Sequence, residues 1–328
     1  MRIGGLAGRV RRLRRLAAIS IIALIVTGCS RFGQAGGPAS LASPAGSSAA
    51  ARPRPSAPAQ PAVASSKVAA SSSLPAPSRR ARIAGSPFAR PGLRAFLASR
   101  SGNVTAAVYD VGTRRVWVYR PGVREYTASI VKVEIMGTAL REAQQAGRAL
   151  PPAEEGLMPS MIENSDNDSA TELLADVGGP GAVARFDRSA GMTATQPSTL
   201  ALIPGTPWPG WGLTTTTALD EVVLVSRFAY PNTVLSGVSR QYGLSLMENV
   251  ESDQDWGVSG GVPPGTTIAL KNGWLPLGPS NWQIDSIGWI DGHGRDYVLA
   301  VLTADNPSEA YGIDTIDGIA SYIYHSRG

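Results

Sequence analysis

The sequence predicts an α+β fold, in which an antiparallel sheet built from both chain ends is flanked by helices and carries an inserted all-α subdomain. Three observations lead to this prediction. Strand-like segments occur at 104–119, segments with helical spacing follow, and strand-like segments return at 267–303 before a last helical stretch. Strands at the two ends can close one sheet only by pairing with each other, which leaves the helices between them as an insertion.

The first predicted elements are a short helix near Pro91–Arg100 and two strands, Val104–Asp110 and Arg115–Tyr119, which are separated by a turn. The next segment, Ser129–Gln145, has apolar residues at the spacing of one helix face. The sequence therefore predicts a strand pair followed by a helix that begins at Ser129.

The middle of the chain is predicted to be helical, with glycine and proline separating the helices. Gly178-Gly179-Pro180 ends one helix and begins the next, and residues 193–213 form a long loop rich in Pro, Gly and Thr. The predicted helices are Ala153–Ile162, Asp168–Val177, Pro180–Ala190, Thr217–Phe228 and Val234–Asn249.

The last part of the chain returns to strand-like alternation. Residues 291–294, Asp-Gly-His-Gly, predict a hairpin turn between the last two strands. The predicted strands are Thr267–Lys271, Trp282–Ile290 and Tyr297–Thr303, and the closing helix is Ser308–Tyr324.

The N-terminus has the pattern of an export signal. Arginines at 9–15 precede an apolar run of 11 residues, Leu16 to Val26, which is shorter than the roughly 20 residues that span a bilayer as a helix. The run ends in Thr27-Gly28-Cys29, which resembles a lipobox, where the Cys is diacylated and becomes the mature N-terminus. We expect an exported lipoprotein anchored to the outer face of the cell membrane. An ordinary signal peptide with an incidental Cys29 is the alternative.

Composition predicts the division of the chain into domains. Residues 30–86 are rich in Ala, Pro and Ser, and such a segment cannot bury enough apolar surface to fold. We expect a signal peptide at 1–29, a disordered tether at 30–86 and one folded domain at 87–328, with its helical subdomain at about 140–260.

The net charge of +5 has two opposite parts. Fourteen of the 30 basic residues and none of the 25 acidic residues precede residue 91, so the remainder carries about −9. The basic balance therefore belongs to the leader and tether, and we expect no nucleic-acid partner. Cys29 is the only Cys, which excludes disulfides within the chain and Cys-based metal sites. We expect a monomer with no metal and no cofactor.

Three short motifs occur in order: Ser129-Ile130-Val131-Lys132, Ser165-Asp166-Asn167 and Lys271-Asn272-Gly273. A serine hydroxyl is a poor nucleophile that needs a nearby base. A lysine three residues later lies on the same helix face, and its pKa falls when it is buried or lies near another cation. The first motif therefore predicts Ser129 as the nucleophile and Lys132 as its base.

The other two motifs supply the remaining groups that acyl transfer needs. Lys271 can act as the second cation and can attract a substrate carboxylate, while Ser165 can relay a proton to the leaving nitrogen. The backbone amides of Ser129 and Trp274 are predicted to form the oxyanion hole. The predicted substrate-binding residues are Asn167, Asn272 and Gly273.

Lysine usage supports this assignment. After residue 90 the chain has 14 Arg but only two Lys, and both are motif residues. Arginine cannot release its proton, so lysine occurs only where a neutral amine is useful. The two histidines, in a hairpin turn and three residues before the end, do not indicate a Ser-His-Asp triad.

With these motifs in this order, the chain resembles the class A β-lactamase family and β-lactamase-like serine hydrolases of actinobacteria. The resemblance extends from Val104 to the C-terminus and includes Gly178-Gly179-Pro180, Ile203-Pro204-Gly205 and Thr214-Thr215-Thr216. It implies an α+β domain beside an all-α domain, with the site between them. It also implies β-lactam or D-Ala-D-Ala-type, peptidoglycan-derived peptide substrates.

The chain departs from the family pattern at the residues that the family uses for deacylation. A Glu-Pro pair precedes the Ile-Pro-Gly of the family, and its Glu activates the deacylating water; aligned on Ile203, this pair becomes Gln196-Pro197. An amide cannot act as a general base. The family's Asn, four residues further on, falls on Leu200, and the Thr or Ser of the third motif is Asn272. We therefore expect acylation of Ser129 followed by slow deacylation.

Two other functions fit the same sequence. One is a D,D-peptidase or esterase, which would use the same nucleophile on another acyl group. The other is an inert, cell-wall-associated binding lipoprotein that keeps the pocket without turnover. The intact Ser129, Lys132, Ser165 and Lys271 disfavour the inert protein, and Gln196 disfavours an efficient β-lactamase.

Overall fold

The computed structural model describes residues 85–326, and the predictions for the signal peptide, Cys29 and most of the tether lie outside these residues. In the described part, the strands are β1 (Asn103–Asp110), β2 (Arg115–Tyr119), β3 (Glu125–Tyr126), β4 (Thr215–Thr216), β5 (Thr267–Gly278), β6 (Asn281–Gly292) and β7 (Arg295–Asn306). The α-helices are α1 (Pro91–Ala98), α2 (Lys132–Gln145), α3 (Pro152–Glu163), α4 (Asn167–Asp176), α5 (Pro180–Ala190), α6 (Ala218–Ala229), α7 (Gly237–Glu248) and α8 (Glu309–His325).

Five strands form one antiparallel sheet in the order β2-β1-β7-β6-β5. Strands from the two ends of the chain meet where β1 pairs with β7, for example Val108 with Leu299. The β6–β7 hairpin turns at His293 and Gly294, which both have positive φ, as the sequence predicts for this turn. The α+β fold with a sheet built from both chain ends is confirmed, and it leaves β5 at one edge of the sheet.

Alternation along the strands divides the core into two layers. In β7, Val298, Ala300 and Leu302 face a cluster shared with α2 to α7, while residues 297, 299 and 301 face a second cluster shared with α1 and α8. Full burial of one such apolar side chain contributes roughly 1.5–3 kcal/mol to folding. The sheet is therefore held on both faces, and α2 lies on the face that carries the helical block.

Three predicted elements differ from the structure in their bounds. The helix predicted from Ser129 begins as a 3-10 turn and is α-helical only from Lys132. Helix α7 begins at Gly237, because the Asn232 side chain accepts the backbone N–H groups of Val234 and Leu235 and holds them in a turn. Strand β5 continues to Gly278, well beyond its predicted end at Lys271. The two-residue strands β3 and β4 were not predicted, since such short segments carry no periodic signal.

The small β3–β4 sheet joins the chain before Ser129 to the chain after the 193–213 loop. Tyr126 pairs with Thr215, and the Thr127 N–H donates to the Thr214 carbonyl at 2.8 Å. This pairing ties the loop to the segment that leads into α2. No helix within residues 85–326 is long and apolar enough to cross a membrane.

Candidate active site

A cavity of about 290 Å³ opens at the free edge of β5, beside the start of α2. It contains two of the serines from the sequence motifs and is otherwise largely apolar and aromatic. Its lining residues are Ala128, Ser129, Ser165, Asn167, Ile203, Trp208, Pro209, Trp211, Gly212, Trp274, Leu275, Pro276, Trp282 and Glu309.

Ser129 lies in a short 3-10 turn, Ala128–Val131, which runs directly into α2. Ala128 has φ of 44°, a left-handed conformation that a non-glycine residue adopts at a cost of about 1–3 kcal/mol. The third motif packs directly against this turn. A side chain at Gly273 would place its Cβ 2.7 Å from the Thr127 carbonyl oxygen and 2.9 Å from the Ser129 nitrogen. Gly273 is therefore required for the close approach of β5 to the nucleophile.

The Lys132 amine connects the first two motifs. Its Nζ lies 3.0 Å from Ser129 Oγ and 3.0 Å from Ser165 Oγ. It donates to the Ser165 carbonyl at 2.6 Å and to Asn167 Oδ1 at 2.9 Å. A neutral amine has two N–H donors and one lone pair, so donation to these two oxygens leaves the lone pair for a serine hydroxyl.

The environment of Lys132 favours this neutral form. The side chain is fully buried, and burial, together with repulsion from the Lys271 ammonium, lowers its pKa to about 6, against the weaker opposing attraction of Asp166. Lys271 is also fully buried, and burial lowers its pKa to about 7. Near neutral pH, Lys132 can therefore accept a proton without first losing one to water.

The second motif forms a strained turn that begins α4. Ser165 has φ of 56°, and Asp166 is the N-cap of the helix, where its side chain accepts the Ser169 N–H at 2.7 Å. Asp166 accepts hydrogen bonds from the side chain and the backbone of Ser169, and these bonds lower its pKa, so the cap stays ionised at neutral pH. The turn holds the Ser165 hydroxyl and the Asn167 amide on the Lys132 amine.

The third motif presents its side chains to both faces of β5. Lys271 is fully buried, bonds to the Asn272 carbonyl at 3.1 Å and does not line the cavity. The Asn272 amide is 1 % exposed and donates to the carbonyls of Gln254 and Trp256. Asn272, predicted to bind substrate, is thus directed toward the segment at 254–256 instead of into the cavity.

Trp274 lines the cavity, and it follows Gly273, whose backbone approaches the Ser129 nitrogen. The Trp274 ring packs against Trp256 at a centroid distance of 6.2 Å. The two predicted oxyanion-hole amides thus come from adjoining segments, and their role as a pair stays a prediction.

The loop after α5 does not present Gln196 to the cavity. The Gln196 backbone pairs with Thr215 through bonds of 2.8 and 3.1 Å, and its side chain is exposed. Leu200, four residues further on, is 49 % exposed. Neither residue lines the cavity.

Trp211 of the same loop lies close to the Lys132 amine. Its ring centroid is 5.0 Å from Lys132 Nζ, and its Nε1 donates to Thr171 Oγ1 at 3.1 Å. The ring is 7 % exposed and packs in the cluster shared with α2. Gly210, directly before it, leaves no room for a side chain, because a Cβ would lie 2.1 Å from the Leu200 carbonyl oxygen. The loop backbone therefore fixes an indole beside the lysine.

The sequence did not identify Glu309 or Trp282 as site residues, and the structure places both on the cavity wall. Glu309 is the first residue of α8, and burial raises its pKa. Neither residue belongs to a motif, so only the packing of α8 and β6 at the edge of β5 reveals them. Among residues 85–326, no group of three or more His, Cys, Asp or Glu side chains is arranged to hold a metal ion.

The sequence of this chain is similar to one family of known proteins. A sequence model of the beta-lactamase enzyme family matches residues 154–326, just over half of the chain. The chain belongs to the beta-lactamase enzyme family. The residues that match the family include the second and third motifs, while Ser129 precedes them.

Relatives and solved structures agree with this membership. The chain is 30% identical to a beta-lactamase of Streptomyces fradiae over 163 residues, which is 41% of this chain and about half, 51%, of that protein. It is 26% identical to beta-lactamase Toho-2 of Escherichia coli over 252 residues, 66% of this chain and 81% of that protein.

An ancestral class A beta-lactamase has a TM-score of 0.61 at 22% identity, covering 71% of this chain and 97% of that one. The class A beta-lactamase from Mycobacterium abscessus has a TM-score of 0.59 at 21% identity, covering 71% of this chain and 96% of that one. These structures share the fold of this beta-lactamase family member. The resemblance to class A β-lactamases is thereby confirmed.

Proposed function

We propose that this beta-lactamase family member is a serine hydrolase whose Ser129 is acylated by β-lactams or D-Ala-D-Ala-like substrates and is deacylated slowly. The Lys132 amine supports the proposal most directly, because it lies 3.0 Å from two serine hydroxyls and has a pKa of about 6. An amine that is neutral at physiological pH and in contact with a hydroxyl is a suitable general base.

In the proposed acylation, Ser129 Oγ attacks the carbonyl carbon while its proton passes to Lys132 Nζ. The backbone amides of Ser129 and Trp274 stabilise the negative charge on the carbonyl oxygen. The bond from carbon to the leaving nitrogen then breaks, and the proton returns from Lys132 through the Ser165 hydroxyl to that nitrogen. The product is an ester on Ser129, with charge and protons balanced.

Slow deacylation follows from what surrounds this ester. Water needs a base to attack it, and a positioned base contributes about 10²–10⁴-fold to rate. The side chain of Gln196 is exposed, and the indole of Trp211 lies beside Lys132. The only carboxylate among the lining residues is Glu309, on α8, which packs on the sheet face opposite to α2. The names of the relatives, all beta-lactamases, support a β-lactam as the acylating compound.

Labelling with a fluorescent penicillin tests the proposal. The wild-type protein should become covalently labelled on Ser129, and the label should persist after the free penicillin is removed. Ser129→Ala should not be labelled, whereas Ser326→Ala, which removes a buried serine at the end of α8, serves as the matched control. Equal labelling of Ser129→Ala would show that the nucleophile lies elsewhere.

We also propose that the protein is exported and held on the outer face of the membrane by lipid on Cys29. The support is the short apolar run ending in Thr27-Gly28-Cys29. Two or more acyl chains give stable attachment, whereas one gives only marginal binding. Wild-type protein should fractionate with membranes and carry lipid by mass, and Cys29→Ala should do neither. A soluble, unmodified wild type would contradict this proposal.

A further inference from the structure

The cavity beside Ser129 has an unusual distribution of charge. None of its lining residues is Lys or Arg, and Glu309 is the only one with an ionisable charge. Burial raises the pKa of Glu309, but the side chain is half-buried and gains a negative charge as pH rises. A substrate carboxylate in this cavity would therefore meet repulsion and no exposed cation.

The two residues that could have attracted a carboxylate are withdrawn from the cavity. Lys271 is fully buried beneath it, and burial lowers its pKa to about 7, so near neutral pH only part of the population carries a charge. The Asn272 amide is 1 % exposed and already donates to the carbonyls of Gln254 and Trp256. Lys271 therefore exposes no N–H to the cavity, and both N–H groups of the Asn272 amide are already donated, so neither side chain offers an exposed donor to a carboxylate.

Most of the remaining wall is aromatic or aliphatic. Four tryptophans line the cavity, Trp208 and Trp211 from the loop and Trp274 and Trp282 from the sheet edge. Trp208 is 42 % exposed although it lines the cavity. Large apolar side chains exposed around a concave site favour an apolar ligand, because its binding removes both surfaces from water.

From these observations we infer that the preferred substrate is a neutral ester or amide with a bulky apolar, preferably aromatic, acyl group and no carboxylate. This inference rests on the proposed function, since Ser129 is the nucleophile in both. With an ester, Ser129 Oγ bonds to the acyl carbon and its proton passes to Lys132. The ester C–O bond then breaks, and the alcohol leaves with the proton returned through Ser165. Water later releases the acid.

Two pairs of compounds test the inference on the wild-type protein. Benzylpenicillin and its methyl ester share the reacting lactam and differ only in the carboxylate. The nitrophenyl esters of phenylacetic and acetic acid share the leaving group and differ in the aromatic ring. At pH 8 we expect the methyl ester to acylate Ser129 about tenfold faster than the free acid. After correction for spontaneous hydrolysis, phenylacetate should react about tenfold faster than acetate.

Variants of two cavity residues, each with a matched control, test which residue causes the preference against a carboxylate and which causes the preference for an aromatic acyl group. Glu309→Gln should reduce the difference in acylation rate between benzylpenicillin and its methyl ester. Asp314→Asn, which changes an exposed acid on the same helix, should leave this difference unchanged. Trp208→Ala should reduce the difference in reaction rate between the nitrophenyl esters of phenylacetic and acetic acid. Tyr322→Ala removes an aromatic ring that is as exposed, 43 %, but lies away from the cavity, and should leave that difference unchanged.

The possible failures are distinguishable by the position of the label. If all four compounds acylate Ser129 but the free acid reacts as fast as its ester, or acetate as fast as phenylacetate, this inference is overturned and the proposed function stands. If none acylates Ser129, or if Ser129→Ala reacts equally, the proposed function falls and this inference falls with it. The wild-type comparisons need no variant to fold.

Discussion

The start of α2 and the loop after α5 border the same cavity but differ in how they are built for chemistry. At the start of α2, the Lys132 amine lies within 3.0 Å of four oxygens, two of them serine hydroxyls, and is fully buried. In the loop, Gln196 is exposed and Trp211 presents an indole to that amine. Under the proposed function, the first region is suited to proton transfer in acylation, whereas the loop residues that line the cavity include no carboxylate that could activate water for deacylation.

The largest expected effect lies in the first region. Lys132→Arg keeps a positive charge but cannot accept the Ser129 proton, so we expect acylation by penicillin to slow by about 10²–10⁴-fold. The measurement is the second-order rate of adduct formation by intact mass. Arg141→Lys, the opposite exchange further along α2, is the control and should acylate like wild type. A rate for Lys132→Arg within threefold of wild type would assign the base elsewhere.

The pH dependence of acylation should reveal the same amine. Burial and Lys271 lower the pKa of Lys132 to about 6. Below that pH the amine is protonated and cannot accept the Ser129 proton, so the rate should fall about tenfold for each further pH unit and level off above it. A profile that is flat between pH 4.5 and 8 in rapid-quench measurements would contradict a lysine base.

Variants of the loop sharpen the comparison from the other side. Trp211→Ala should admit water beside Lys132 and shorten the acyl-enzyme lifetime by about tenfold, less than a positioned base would give. Gln196→Glu, alone or with Leu200→Asn, should change the lifetime little, because both side chains face solvent. If Gln196→Glu shortens the lifetime more than Trp211→Ala does, the loop must bring residue 196 into the cavity. Mass spectrometry that records the loss of the acyl group over time distinguishes these outcomes.

The smallest expected effect concerns stability, at an acid cluster formed by Glu134 of α2, Asp187 of α5 and Glu221 of α6. All three carboxyls are buried. Burial raises the pKa of Glu221 to about 8 and that of Asp187 to about 7, and it raises that of Glu134 well above its usual value. At these three carboxyls the folded state therefore binds more protons than the unfolded state from about pH 4 to 8, so their contribution to stability should be highest at acid pH and fall through this window. The lowered pKa values of Lys132 and Lys271 act in the opposite direction above about pH 6 and offset part of this fall.

The contribution of the cluster to the free energy of unfolding should fall by at most about 1.4 kcal/mol per pH unit for each proton. Urea unfolding at pH 5 and pH 8 measures it, and Glu221→Gln should flatten the dependence. The two responses to pH distinguish the active site from the acid cluster, since the acylation rate should rise with pH while the contribution of the cluster to stability falls. A Glu221→Gln variant whose stability falls between pH 5 and pH 8 as steeply as that of the wild type would contradict a buried, protonated Glu221.

The sequence predicted the first region better than the second because the groups at the start of α2 are local. Ser129 and Lys132 are three residues apart, and a helix start of any tertiary context brings them to one face. The order of the three motifs then required β5 to approach α2, which the structure realises through the missing side chain of Gly273. The α+β topology followed equally from the strand-like segments at both ends of the chain.

The second region depends on packing that no short pattern encodes. Gln196 was placed by counting back from Ile203, but its backbone pairs with Thr215 and turns the side chain outward. Asn272 is held away from the cavity by hydrogen bonds to the carbonyls of Gln254 and Trp256, contacts with an earlier loop segment that the motif does not reveal. Glu309 reaches the cavity only through the packing of α8 at the sheet edge, and nothing in its sequence neighbourhood indicates this.

Time-resolved mass spectrometry during reaction with excess benzylpenicillin tests the central claim most directly. If acylation is built into the start of α2 and deacylation lacks a base, one adduct per chain should form on Ser129 and persist while product appears slowly. Stopped-flow absorbance should show a burst that matches the protein concentration. Rapid hydrolysis with no burst and no detectable adduct would contradict this account and would require an efficient base in the loop.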